Sequence, residues 1–243
     1  MRRPIPAFFL LLLAASASAA TAGAIRREAD LRFSDSGLLR HAARSGPLAT
    51  RREALAAMGR IQSPAYEDSL IAALRDPAPE LRAQAAFSLG QLSLAEPDDG
   101  DATEAQTLAD LRDRAAAALE PLLDDKDLEV RRCATEALGK AGGKDSETLL
   151  VLALAARDPG VRAEAAAGLF RLRYLKRIPQ YSSATVGGLL AAAKDADPAV
   201  RWRAVYAFSR WPEPAAASAL ASAASDDDPW TRLFAVRALG QFK

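Results

Sequence analysis

The sequence predicts an all-α protein, an α-solenoid of about six helix pairs, on three observations. Half of the 243 residues are apolar but only 6% are aromatic, so the apolar content is mostly alanine and leucine, a composition for closely packed helices rather than sheets. One phrase is rewritten along the chain: "DPGVRAEAAAGLF" at 158–170, "DPAVRWRAVYAFS" at 197–209 and "DPWTRLFAVRALG" at 228–240. The rewriting keeps register over most of the chain, as it does where each unit walls in the next.

The first element is a leader, "MRRPIPAFFLLLLAASASAATAGA". Arg2 and Arg3 give a basic start, and residues 8–15 form an apolar run too short to span a membrane as a mature helix. "ASA" at 17–19 is a small-residue cleavage pattern, and a second possible site follows Ala24. The expectation is a signal peptide over 1–24 and an exported repeat domain over 25–243, periplasmic or extracellular, with no membrane contact after cleavage. Cys133 is the only cysteine, so no disulfide can close within the chain and buried area has to hold it together.

"SDSGLLRHAAR" at 34–44 then reads as a lone helix closing the stack. Six units follow, aligned on Arg51, Arg82, Arg131, Arg162, Arg201 and Arg232, with gaps of 31, 49, 31, 39 and 31 residues. Three residues after each arginine stands Ala54, Ala85, Ala134, Ala165, Ala204 or Ala235. Seven after it stands Met58, Leu89, Leu138, Leu169, Phe208 or Leu239. These offsets return to one helix face, where a small residue lets a neighbour approach and a large one fills the space.

Asp127, Asp158, Asp197 and Asp228 lie four residues before their arginines, where a carboxylate caps the free N–H groups of a new helix. Pro79, Pro159, Pro198 and Pro229 fall at the first helical position, where a missing N–H costs nothing. Gly59, Gly90, Gly139 and Gly240 follow the large residue and are expected to end the helix in the left-handed conformation.

A second helix is expected in most units, at 65–74, 146–156, 183–193 and 214–224. In this frame the last unit stops at "ALGQFK" without one, so the domain is expected to be truncated at its C-terminal end or to continue. The 49-residue gap holds an acidic loop, "EPDDGD", and a lengthened helix over 103–119 that Pro121 breaks or kinks. The 39-residue gap holds "FRLRYLKRIPQYSS", whose Arg171, Arg173, Lys176 and Arg177 read as a solvated helix end.

"DPAPELRAQAAFSLGQL", "DKDLEVRRCATEALGKAGG" and "DDDPWTRLFAVRALG" resemble HEAT repeats of the short, phycobilisome-lyase type, and the resemblance covers 38–243. It implies that aspartate and arginine form a polar ladder between neighbouring units, a structural role for Asp127, Arg131, Asp158, Arg162, Asp197, Arg201, Asp228 and Arg232. "RYLKRIPQYS" with "DADPAVRWRAVYAFSRW" is also similar to the repeat region preceding the catalytic domain of some exported bacterial cyclophilin-type prolyl isomerases.

Lys plus Arg (32) balances Asp plus Glu (31), which gives no field for nucleic acid. His41 is the only histidine, so the paired His–Glu ligands of metal hydroxylases resembling this fold cannot be assembled. No nucleophile elbow or phosphate-binding glycine loop is present. No catalytic residue, metal or cofactor is expected.

Recognition has a better candidate. Ten of the thirteen aromatics after the leader lie from Phe170 onward. Offsets −2, +1 and +5 from the arginine form a stripe that reads Glu129, Arg132, Glu136 in the third unit and Ala199, Trp202, Tyr206 in the fifth. In the sixth it reads Trp230, Leu233, Arg237. Either further sequence covers this stripe, or Trp202, Tyr206, Trp230, Leu233 and Arg237 dock a protein partner. The function expected is a non-enzymatic protein–protein interaction scaffold; its rival is the accessory region of a larger exported enzyme with a C-terminal catalytic domain.

Overall fold

The computed structural model describes residues 21–33, 35–97, 99 and 101–242. Most of the expected leader, with the cleavage pattern at 17–19, lies outside these residues. Those described form thirteen α-helices: α1 (21–30), α2 (Gly37–Arg44), α3 (Leu48–Ile61), α4 (Glu67–Ala73), α5 (Pro79–Leu92), α6 (Ala102–Leu119), α7 (Leu128–Ala141), α8 (Ser146–Ala153), α9 (Pro159–Tyr174), α10 (Ser183–Ala192), α11 (Pro198–Arg210), α12 (Ala217–Ala223) and α13 (Pro229–Leu239). They stack as an α-solenoid.

The arginine helices α3, α5, α7, α9, α11 and α13 pack side by side in chain order, while the helices between them meet one another far less. Closer spacing in the arginine layer puts it on the inner side of the curve. The alanines three residues after each arginine are all fully buried, and so are Met58, Leu89, Leu138 and Leu169 seven residues after. Each such large side chain contributes about 1.5–3 kcal/mol on leaving water. α5, α9, α11 and α13 begin on their prolines.

The pairing frame differs from the one the phrases suggest. Apart from its arginine-helix neighbours, each arginine helix packs mainly on the helix before it, joined at α7 by the segment Glu120–Asp124, giving the pairs α2–α3, α4–α5, α6–α7, α8–α9, α10–α11 and α12–α13. So the helix at 34–44 is not a lone closing element but half of the first pair, and the sixth unit does not lack a helix. α1 packs beside the first pair, with Ile25 fully buried and Arg26 Nε donating to Glu53 at 2.9 Å.

Gly59, Gly90 and Gly139 do not end their helices. They lie inside α3, α5 and α7, where the next arginine helix passes within contact. At Gly139 a Cβ would stand 2.5 Å from the Cα of Gly168, so backbone meets backbone there. The left-handed caps fall to Gln62 (φ 60°) and Gly142 (φ 65°).

The insertions fold against each other. α6 is the expected lengthened helix, and a 3₁₀ segment, Glu120–Asp124, follows it at Pro121. Beyond α9 the chain turns through a left-handed Lys176 (φ 56°). Arg177 then donates to Glu96 of the acidic loop at 2.9 Å. The basic segment is therefore not the solvated end that its composition suggests. Arg177 is almost wholly buried, and Arg173 lies over the Tyr181 and Trp211 rings while pairing with Glu213.

Candidate protein-binding face

Two contacts recur along the arginine series, and Arg82, Arg162 and Arg201 make both. In the first, Nη1 donates to two carbonyls of the loop leading into the arginine's own helix: Asp76 and Pro77 for Arg82, Asp125 and Lys126 for Arg131, Ala156 and Arg157 for Arg162. Arg201 and Arg232 repeat this on Asp195 with Ala196 and on Asp226 with Asp227. In the second, the other edge of Arg82, Arg162 and Arg201, Nε and Nη2, reaches the next unit and grips a carboxylate from two sides. Arg82 holds Asp125 at 2.8 and 2.8 Å, Arg162 holds Asp195 at 2.7 and 2.8 Å, and Arg201 holds Asp226 at 2.8 and 2.8 Å. Arg51 pairs with Asp76.

The ladder aspartates are therefore not the ones the phrases single out. Asp127, Asp158, Asp197 and Asp228 are N-caps that accept from the backbone N–H of Val130, Val161, Ala199 and Thr231. The rung carboxylates stand two residues earlier, and their second role joins the two sets. Asp125, Asp195 and Asp226 each accept the N–H of the capping aspartate itself at 2.8–2.9 Å. Arginine hydrogen bonds hold the carboxyls of Asp125, Asp195 and Asp226 below the usual carboxylate range.

The aromatics of the last three arginine helices form one connected cluster on the inner side. Phe234 is its hub: Tyr206 meets it edge-on at 4.7 Å, and Trp202 and Trp230 lie 6.0 Å away. Tyr206 also touches Phe170 at 4.8 Å, and Phe170 stacks on Tyr174 at 5.6 Å. Arg203 covers the Trp202 ring at 4.4 Å. The result is a lane across α9, α11 and α13 that is half-buried in the middle and open at both ends, where Tyr174 and Trp230 are each 58% exposed.

Beside the lane, an open cleft of about 330 Å³ is lined by Arg132, Asp158, Gly160, Glu164, Asp197 and Arg203. Of the five residues expected to dock a partner, the fold brings Trp202, Tyr206 and Trp230 together. Leu233 and Arg237 lie exposed along the same helix as Trp230. Trp202 and Tyr206 are half-buried rather than free, because Phe234 sits between the helices and takes up their inward faces.

The model of HEAT repeats matches residues 36–113, 92–169 and 186–243. The chain belongs to the HEAT-repeat family. Among solved structures, an engineered protein is 22% identical with a TM-score of 0.60, over 83% of this chain and 96% of its own. YibA of E. coli is 16% identical with a TM-score of 0.60, over 97% of this chain and 75% of its own. A designed armadillo repeat protein in complex with the peptide (KR)4 is 20% identical with a TM-score of 0.58, over 84% and 98%. At such identities these likenesses show the repeat-solenoid fold. No curated protein sequence gave a significant match.

Three members of the aromatic cluster in this HEAT stack escape the offset pattern: Phe170, Tyr174 and Phe234. They stand at +8, +12 and +2 from their arginines, and only the lateral packing of successive helices brings them into line. Cys133, on the same inner side, is no reactive thiol: burial and the neighbouring Glu129 and Glu136 push it up to about 12. Among the described residues no group of three or more His, Cys, Asp or Glu side chains could hold a metal ion, and no helix is long and apolar enough to cross a membrane.

Proposed function

We propose that the chain is a non-enzymatic interaction scaffold that binds a protein segment along the aromatic lane of α9, α11 and α13. The observation that carries this reading is the unbroken series of ring contacts from Tyr174 through Phe170, Tyr206 and Phe234 to Trp230. Rings locked by one another lose little freedom when a partner arrives, and aromatic side chains with a nearby arginine are the usual carriers of interface affinity. The polar cleft at Arg132, Glu164 and Arg203 supplies directional contacts next to an apolar strip.

The leader supports an exported location. Release after Ala19 keeps the whole of α1, whereas release after Ala24 puts the terminal amine on the buried Ile25. The packing of α1 favours the first site. The partner surface serves equally if the scaffold works beside a catalytic domain, as the prolyl-isomerase resemblance implies.

Peptide display against the purified chain tests the reading. Selected peptides are expected to bind the parent and to lose affinity at least tenfold on Trp230→Ala and on Tyr174→Ala, with the melting temperature nearly unchanged. Failure to enrich any peptide, or enrichment of peptides indifferent to both substitutions, overturns it.

A further inference from the structure

The ladder lacks one rung. Between α7 and α9 the position that holds Asp76, Asp125, Asp195 or Asp226 at the other junctions is Ala156. Arg131 is nevertheless anchored like the rest, with Nη1 donating to the carbonyls of Asp125 at 2.6 Å and Lys126 at 3.2 Å. That anchoring fixes the plane of the guanidinium. Its gripping edge, Nε and Nη2, has no acceptor among the described residues.

Ala156 lines an open groove of about 310 Å³ between the 3₁₀ segment Glu120–Asp124, α8 and α9. The walls are aliphatic, with Leu123, Leu149, Leu152 and Val161, and Leu152 is 66% exposed. Glu120 and Asp124 also line it. These carboxylates oppose a free anion, so a carboxylate has to arrive on a carrier whose apolar neighbours fill the groove.

We propose that the open rung at Arg131 is a binding site for an aspartate side chain of a partner protein, presented between aliphatic residues. The chain itself shows the chemistry three times over: Arg82, Arg162 and Arg201 each clasp an aspartate through the same Nε and Nη2 pair. A guanidinium already held in place loses little freedom on forming two parallel hydrogen bonds, and the planar fork selects a carboxylate over an amide. This site is separate from the aromatic lane and stands or falls independently of it.

The probe is the peptide acetyl-Leu-Asp-Leu-amide, with acetyl-Leu-Asn-Leu-amide as control, titrated at millimolar concentration into the full chain. Binding is followed by NMR at the Arg131 Nε–H and the backbone amides of 152–161. The aspartate peptide is expected to shift these signals and the asparagine peptide to bind at least tenfold more weakly. Ala156→Asp supplies the missing carboxylate from within; it is expected to raise the melting temperature and abolish peptide binding. Equal binding of the two peptides, or retention of the aspartate peptide by Ala156→Asp, overturns the assignment.

Discussion

Arg162 holds the Asp195 carboxylate through two parallel hydrogen bonds, Nε to Oδ2 at 2.7 Å and Nη2 to Oδ1 at 2.8 Å, across the junction between the fourth and fifth helix pairs. Both side chains are largely buried, at 18% and 13% exposure. Asp195→Ala leaves the guanidinium without its partner and is expected to cost about 2–3 kcal/mol. Chemical denaturation followed by far-UV circular dichroism measures the loss.

Acid is expected to act on the same rungs. The carboxyls of Asp125, Asp195 and Asp226 are lowered in the fold, chiefly by their arginine hydrogen bonds. The folded chain thus binds these protons less readily than the unfolded one. Their contribution is complete above the ordinary aspartate value of about 4 and drains away as pH falls through the lowered folded values. Stability is expected to decline below about pH 4, and Asp195→Asn to flatten that decline. Melting curves at stepwise lower pH compare the two chains.

Two glycines predict opposite outcomes for one substitution. Gly139→Ala drives a methyl into the backbone of Gly168, which neither helix can relieve without separating, and is expected to destabilise by about 1–3 kcal/mol. Gly187 lies exposed inside α10 with open space around its Cα. There alanine is expected to stabilise by about 0.5–1 kcal/mol, through helix propensity and a less free unfolded chain. Melting temperatures of the two variants should move apart.

Within the aromatic lane, stability and binding are expected to separate by position. Tyr206→Ala removes a ring wedged between Phe170 and Phe234 and should cost about 2 kcal/mol, less than a fully buried aromatic. Trp230→Ala removes an exposed ring and should cost under about 1 kcal/mol, while selected peptides are lost. Thermal melts paired with peptide titrations read both effects.

Cys133 is expected to resist alkylation. With its thiol pushed up to about 12 by burial and two glutamates, the thiolate fraction at neutral pH is very small. Iodoacetamide should label the folded chain far more slowly than the urea-unfolded one, as mass spectrometry over time would show.

The solenoid was readable because its rules are local: proline at the first helical position, an aspartate cap, and alanine and a large residue on one face. Relations that run across units were less readable. The arginine register was plain, yet its carboxylate partner lies a whole unit away and two residues before the cap that the phrase makes conspicuous. Glycine at +8 looks like a helix end in one dimension, and only lateral packing shows it as a crossing point. Offsets also located Trp202, Tyr206 and Trp230 but not Phe234, since a hub shared by two helices belongs to neither helix's own periodicity. The pairing frame was misjudged for the same reason, because a phrase that begins with an arginine helix hides the helix already packed behind it.

Arg82, Arg162 and Arg201 each fasten the loop of their own pair and the loop of the following pair to a single rigid plane. The angle through which one pair is turned relative to the next is thereby set by a side chain as well as by the meeting of helices. At α7 and α9 that rung is missing, and the meeting of the two glycine backbones and the Arg177–Glu96 pair span the junction instead. The third and fourth pairs are thus tied at the rim of the coil, from the acidic loop to the turn after α9, where the other junctions are tied by a rung.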